Sequence, residues 1–290
     1  MTAAPVRPVR PVRPVDLRAA LRPDPATGTA LVRARTPQYE ATVVDVTDLG
    51  GGMRRIACEA AGLRSFVPVG PDEYVGLLMP PAGRPLVMPD PEPANVRAEV
   101  AALPEADRPA LRWYTIREHD PARGRVDIDV VTHGDSGPGS AWATRARRGD
   151  PVGIRTSGAL YRGFEARGRQ VLVADETAVP SVAAILDAWG GPADAADHGV
   201  EVHVEVVDPA VLDSYDLGDA RVHVRTGRPG SAVVPALDRA LAAATGPIAY
   251  GWACGEADLA TGARRVLVRH GADKQSVFFC AYWKLGRPRP

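Results

Sequence analysis

The segment Arg112-Trp113-Tyr114-Thr115-Ile116-Arg117 carries residue types suited to an anionic, ring-bearing ligand. In an extended strand alternate side chains share a face, so Arg112 and Tyr114 project together while Trp113, Thr115 and Arg117 project opposite. One face then offers a guanidinium to a phosphate and a phenol to a sugar, leaving the backbone and Thr115 for a ring edge. Taken alone, the pattern equally describes an exposed strand with a solvated arginine. A second segment adds to it. Residues 127–134 read as a strand, and Ser136-Gly137-Pro138-Gly139-Ser140-Ala141-Trp142-Ala143 turns into a helix. A glycine-rich helix start presents backbone N–H groups and the positive end of the helix dipole to an anion. Ser140 also suits the plain role of helix cap. Arginine strand and helix start together form a clamp for one pyrophosphate.

Other chemistries find little support. The chain shows no convincing Ser-His-Asp set and no closely spaced metal ligands among its six histidines, so no metal site is expected. His203 and His223 lie on strand-like segments and read as structural. Cys58, Cys254 and Cys280 are far apart and odd in number, which argues against a disulfide framework or a metal knuckle.

The elements that must position these residues change character along the chain. Residues 1–35 hold the repeat Arg7-Pro8-Val9, Arg10-Pro11-Val12, Arg13-Pro14-Val15, and seven arginines against Asp16 and Asp24 give this stretch a net of +5. Proline at every third place disfavours helix and sheet interiors, so a disordered Arg/Pro-rich arm is expected. Strand signals then fall at 39–46, 53–58, 73–79, 111–118, 125–133 and 151–156, interrupted by a proline-rich and then helical insertion at 81–110. Short strands without helical crossovers point to an antiparallel β-barrel. In the second half strands at 170–174, 200–207, 221–225, 248–254 and 276–283 alternate with helices at 179–189, 233–244 and 256–270. That alternation calls for a parallel sheet with helices on its faces. The expected organisation is an arm at 1–35, a barrel domain at 36–166 and an α/β domain at 167–290.

Composition sets outer bounds. With 290 residues, 45% apolar and 24% charged, the chain fits about two ordinary globular domains. The 35 basic residues balance the 35 acidic ones, so no global positive field collects nucleic acid. No apolar run reaches the roughly 18 residues that cross a bilayer, so a membrane role is not expected and a cytoplasmic location is. Lys274 and Lys284 are the only lysines; arginine carries the remaining basic charge.

Several motifs, in order, resemble the siderophore-interacting proteins, a branch of the ferredoxin-NADP reductase-like flavoproteins that includes ferric-siderophore reductases. The matching pieces are Arg112-x-Tyr114-Thr115-x-Arg117, His133-Gly134 with Gly137-Pro138-Gly139-Ser140-Ala141-Trp142, and Gly149-Asp150. Further on come Asp175-Glu176-Thr177-Ala178-Val179-Pro180, Gly255-Glu256 and Tyr282-Trp283-Lys284. The resemblance implies an α+β two-domain protein, with an antiparallel β-barrel flavin domain followed by an α/β parallel-sheet nicotinamide-nucleotide domain. By it, Arg112 holds the FAD pyrophosphate, Tyr114 the ribityl or ribose region, and Thr115 the N5 side of the isoalloxazine. Trp113, Val131, His133, Gly137, Pro138, Gly139, Ser140, Asp175, Thr177 and Trp283 complete the implied cofactor contacts. Glu176, Pro180, Cys254, Gly255 and Glu256 are implied to face the nicotinamide nucleotide, since ligands of open α/β sheets bind beyond the carboxyl ends of the strands. Lys284 and Arg117 are the implied substrate contacts.

The implied activity is an FAD-dependent NAD(P)H oxidoreductase passing electrons to ferric iron in a small-molecule chelate, with the protein positioning rings and needing no catalytic acid-base pair. Asp208, after the strand at 200–207, favours NADH over NADPH as donor. The chain departs from the family pattern twice: Gly76 stands where a basic residue is frequent, and Thr156-Ser157-Gly158-Ala159 replaces a Gly-Pro turn. Arg54, Arg55, Arg117 and Arg162 are the cations available to compensate. The departures keep two alternatives open: a flavoenzyme of the same fold acting on an organic biosynthetic substrate, and a non-redox binding or biosynthetic protein on this scaffold.

Overall fold

The computed structural model describes residues 21–23, 31–33, 36–132 and 137–286. Its first half contains strands β1 (Leu21–Pro23), β2 (Leu31–Arg33), β3 (Gln38–Gly50), β4 (Met53–Glu59) and β5 (Tyr74–Met79). Helix α1 (Val96–Ala102), β6 (Ala110–Asp120), β7 (Arg125–Val131), α2 (Pro138–Arg145) and β8 (Pro151–Ala159) follow. The strands run in the order β1-β2-β8-β3-β4-β7-β6-β5, and β5 pairs back onto β8. Strands β3 to β8 therefore close into a six-stranded antiparallel barrel, the device by which a small sheet removes its own edges.

Alternation along the strands separates inside from outside. Val75, Leu77 and Met79 of β5 join Ile116, Ile128, Val130, Val152 and Ile154 in the barrel core. Helix α2 closes one end of the barrel by burying Trp142, Ala143 and Ala146 against the same cluster; each large apolar side chain so buried contributes about 1.5–3 kcal/mol. Its C-terminal turn is held by Arg54 of β4, whose Nη1 donates to the carbonyls of Ala143 (2.7 Å) and Thr144 (2.6 Å), a favourable place for a cation on the helix dipole. On the outer wall Leu78 and Leu111 pack under Val96 of α1, so the insertion at 81–110 covers one side of the barrel.

The expectation of a disordered arm over residues 1–35 is corrected in its later part. Strands β1 and β2 pair antiparallel, and β2 adds to β8 through Leu31↔Ala159 and Val32↔Gly158. The reason lies in β8: its pairing with β3 ends at Arg155, which leaves the main chain of the strand's last residues open on that side. An extended segment such as β2 satisfies an edge of this kind. The Arg-Pro-Val repeats at 7–15 lie outside the described residues.

The second half contains β9 (Arg169–Asp175), α3 (Val179–Ala188), α4 (Pro192–Asp197), β10 (Val200–Val206), β11 (Arg221–Val224), α5 (Val233–Ala243), β12 (Ile248–Glu256), α6 (Ala257–Arg269) and β13 (Val277–Trp283). The strands form a parallel sheet in the order β11-β10-β9-β12-β13. From β9 the chain builds outward one way through β10 and β11, then returns to the other side at β12. A crevice for ligands opens at such a reversal, beyond the carboxyl ends of β9 and β12. The two sheets part between Ala159 and Arg169. Among the described α-helices and strands of this half, only the short α4 was not expected from the sequence.

Candidate functional site

Strand β6 and the start of α2 meet as the clamp requires. A methyl group on Gly139 would lie 1.9 Å from the hydroxyl of Tyr114 and 3.5 Å from Cγ of Arg112, so the helix start rests directly on these two side chains and any larger residue at 139 would displace the Tyr114 hydroxyl. Gly137 supplies the turn into the helix with φ of 100°, a left-handed value glycine adopts without strain, and open space surrounds it. The N-cap residue itself, Gly137, has no side chain to close the helix start. Arg112 donates to the carbonyl of Leu111 at 2.7 Å and has no carboxylate partner among the described residues. Burial pushes the Tyr114 phenol up to about 12, against the opposing charge of Arg112, so Tyr114 is a neutral hydroxyl at physiological pH. A guanidinium with no carboxylate partner among the described residues, a helix start and a glycine cradle fit the pyrophosphate of FAD. Ser140 is buried within the same turn and Pro138 occupies the first helical turn, where its missing N–H costs nothing. His133 lies outside the described residues.

Thr115 points the other way, toward the second domain. Its Oγ1 lies 2.6 Å from Oγ of Ser181 on α3, and Ser181 Oγ lies 3.2 Å from the hydroxyl of Tyr282 on β13. Three hydroxyls thus bridge the barrel strand to the parallel sheet. Trp113, on the same face of β6, meets Tyr74 edge-on with ring centroids 5.6 Å apart, on the outside of the barrel and away from Tyr114. Val131 ends β7 and packs, half-buried, against the second domain's core cluster.

At the carboxyl ends of β9 and β12 the acidic residues are committed to the protein itself. Asp175 is fully buried: Oδ1 accepts from Thr177 N (2.9 Å) and Oγ1 (2.5 Å), and Oδ2 from Glu256 N (2.7 Å) and Trp283 Nε1 (2.8 Å). Burial, reinforced by the neighbouring Glu176, pushes its carboxyl up to about 6. Gly255, with φ of 137°, passes so close that a Cβ would sit 2.6 Å from the Asp175 carboxyl carbon. Glu256 caps α6 through Asp258 N and Leu259 N and accepts Leu285 N at 3.0 Å. Glu176 forms a buried two-pronged ion pair with Arg225, at 2.9 and 2.8 Å. Pro180 and Cys254 are buried, and desolvation raises the Cys254 thiol well above its ordinary value.

The structure therefore brings Asp175, Thr177, Gly255, Glu256 and Trp283 together, but turns the acidic side chains inward. Asp175, Glu176 and Glu256 each already hold donors from the protein, and through these bonds they fix the backbone and the Trp283 indole at the crevice. Arg117 also has a partner within the protein. Its Nη1 pairs with Asp187 of α3 at 2.7 Å, which makes it a tie between the domains. Lys284, in contrast, is exposed and has no ion-pair partner among the described residues.

Several participants escaped sequence reasoning. Ser181 and Tyr282 complete the hydroxyl bridge, and Asp72 joins the domains by accepting from Leu160 N and Tyr161 N (3.0 Å each) and Trp252 Nε1 (3.3 Å). Asp129 accepts from Arg55 at 2.7 and 2.9 Å and from the Tyr215 hydroxyl at 2.7 Å, a second such joint. Their one common signal is a polar residue beside apolar strand positions, which the sequence offers in many places.

A closed barrel with an Arg-x-Tyr-Thr strand against a glycine-opened helix, joined to a parallel sheet with a crevice at its reversal point, defines the two-domain class of ferredoxin-NADP reductase-like flavoproteins. Residues 42–159 match the family model of the siderophore-interacting FAD-binding domain, and residues 168–286 that of the siderophore-interacting protein. The chain belongs to the siderophore-interacting protein family, and its barrel is an FAD-binding domain. A Mycobacterium tuberculosis protein is 32% identical over 160 residues, 53% of this chain and 54% of that relative. The ferric vibriobactin reductase of Vibrio cholerae is 28% identical over 191 residues, 62% of this chain and 66% of the relative. The chain thus spans about half to two thirds of the length of these relatives. Among solved structures, a siderophore utilization protein from T. fusca superposes with a TM-score of 0.69 at 28% identity, covering 89% of this chain and 97% of that one.

Proposed function

We propose that this protein is an FAD-dependent NAD(P)H oxidoreductase that delivers electrons to the ferric iron of a small-molecule chelate. The observation that carries the reading is the seating of Gly139 on Tyr114 and Arg112, which builds an anion clamp where a flavin dinucleotide needs one. The names of relatives point the same way: ferric vibriobactin reductase in Vibrio cholerae and an NADPH-dependent ferric-chelate reductase in Escherichia coli, 30% identical over 143 residues, 49% of this chain and 54% of that relative. Bound FAD supplies the chemistry that accepts two electrons together and releases them singly. One reduced nicotinamide then balances two ferric centres.

The chain's own residues position and shield. Arg112 and the α2 start neutralise the pyrophosphate, while Tyr114 stays protonated and donates. The Thr115–Ser181–Tyr282 bridge sets the distance between barrel and sheet, and hence between flavin and donor. Asp175 holds Trp283 and the Glu256 backbone at the crevice. In this proposal the flavin unit is 36–166, the nicotinamide unit 167–290, and the setting cytoplasmic, where reduced nicotinamide is available.

The test is anaerobic: FAD-loaded protein is titrated with NADH and with NADPH, and ferric chelates are then added. Bleaching of the flavin by either donor, followed by its reoxidation with ferrous iron released, is expected. Flavin that stays oxidised with both donors refutes the reading. Arg112→Ala should weaken FAD roughly ten- to a hundredfold, the loss of one charge-assisted contact. The second reading, an organic acceptor in place of a ferric chelate, rests on Gly76 and on the uncharged stretch Thr156-Ser157-Gly158-Ala159; reduction of the flavin with no transfer to any chelate would favour it.

A further inference from the structure

The outer wall of the barrel holds a site that neither the clamp nor the crevice uses. In the sheet, Gly76 of β5 stands opposite Trp113 of β6 on one side and opposite Arg155 of β8 on the other. Directly opposed residues on antiparallel strands share a face, so Trp113, Gly76 and Arg155 form one row. A Cβ on Gly76 would meet the Trp113 ring at 3.2 and 3.3 Å and Leu111 at 2.8 Å; glycine lets the indole lie down on the sheet. Above the row, beneath the segment Asn95–Arg97, is a cavity of about 270 Å³ whose lining includes Trp113, Arg155, Arg97, Thr156 and Ser157 and, among the described residues, no acidic residue.

Arg155 is the unusual member. It is 2% exposed, and its two terminal nitrogens donate to main-chain carbonyls, Nη1 to Pro91 at 3.0 Å and Nη2 to Pro93 at 2.9 Å. No ion pair joins it to a carboxylate among the described residues; Asp90 acts on it only through space. A guanidinium has five N–H donors, and the two carbonyls satisfy only part of them and leave its charge without a paired anion among the described residues. The four arginines the sequence offered as compensation for Gly76 are engaged elsewhere: Arg54 by α2, Arg55 by Asp129, Arg117 by Asp187 and Arg162 by Glu165. The cation next to Gly76 is Arg155.

The cavity lies just below the roughly 300–1,000 Å³ of pockets for drug-sized ligands, so it admits one ring-sized group. It sits beside Trp113, two residues and about 7 Å along β6 from Thr115 on the same face. We infer that this cavity binds an aromatic carboxylate, the carboxylate paired with Arg155 and the ring against Trp113, and that this group is a part of the electron acceptor. Only the last clause rests on the oxidoreductase reading.

Calorimetric titration of the FAD-loaded protein with benzoate, and with uncharged benzamide as control, tests it. Benzoate should bind and benzamide should not. Arg155→Lys keeps the charge but loses the planar fork, and should weaken benzoate roughly tenfold or more. Ser157→Phe leaves Arg155 in place, fills the cavity, and should abolish binding with FAD content and thermal unfolding retained. No heat with benzoate, equal binding of benzamide, or wild-type affinity in Ser157→Phe overturns the inference. Bleaching of the flavin by NAD(P)H is followed in the same samples. Benzoate binding without bleaching removes the oxidoreductase reading and leaves a carboxylate site, whereas bleaching without benzoate binding removes only the site.

Discussion

Asp72 offers a quantitative check on how the two domains are joined. It sits in the loop before β5, 1% exposed, and takes three donors: Leu160 N and Tyr161 N, from the segment between the two sheets, on Oδ1, and Trp252 Nε1, from the second domain, on Oδ2. Burial pushes its carboxyl up from 3.8 to about 6, against the pull of those bonds. The folded chain therefore keeps a proton that the unfolded chain releases, and stability falls as pH rises from about 4 through about 6. At about 1.4 kcal/mol per pH unit the full cost of ionising Asp72 in place is about 3 kcal/mol. About 2 kcal/mol of it falls between roughly pH 4.5 and 7.5. Asp72→Asn keeps a carbonyl oxygen for Leu160 and Tyr161, and turns an N–H₂ toward the Trp252 N–H, losing the long 3.3 Å bond. That loss, about 0.5–1.5 kcal/mol, does not change with pH. Urea unfolding of the FAD-loaded protein at about pH 4.5 and 7.5 should show the variant less stable than wild type in acid, and the gap closing or reversing by about 2 kcal/mol at the higher pH. A gap of the same size at both values refutes the assignment of a neutral, buried Asp72.

Gly139→Ala should lower FAD affinity more than roughly tenfold, because its methyl meets the Tyr114 hydroxyl; adding Tyr114→Phe removes that oxygen, leaves the nearest ring atom at 3.2 Å, and should restore part of the affinity in a flavin-fluorescence titration. Arg225→Ala strands Glu176 in the interior and should cost about 3–5 kcal/mol in chemical denaturation, while Arg225→Ala with Glu176→Gln should recover much of the loss. Ser181→Ala breaks the hydroxyl bridge at its middle and should cost about 1–3 kcal/mol, read as a lower thermal midpoint.

How far the sequence could be read depended on the range over which each feature is decided. Strands and helices followed from side-chain period, which is local; β9, β10 and β12, all apolar runs between turn residues, were visible at once. Strands β1 and β2 were not, because what orders them is an open stretch of β8 more than a hundred residues later. The clamp was legible because Arg112, Tyr114 and Gly139 announce it by type and by order. The carboxylates at the sheet end were legible as a place, but their partners within the protein were not. Asp175 and Glu256 lie 81 residues apart, and nothing near either one tells that the first accepts the backbone N–H of the second.

By itself the sequence determined the two-domain architecture and the family, and singled out Arg112, Tyr114 and Gly139, since each rests on patterns of a few neighbouring residues with one physical meaning. Only the tertiary structure decided which charges remain available to a ligand. Arg117 and Arg155 look alike in the chain, yet one is paired across the domain interface with Asp187 and the other is held by the carbonyls of Pro91 and Pro93 beside a cavity. A charge acts on a ligand only if no closer opposite charge has already taken it, and closeness in a folded chain is set by packing between residues that are far apart in order.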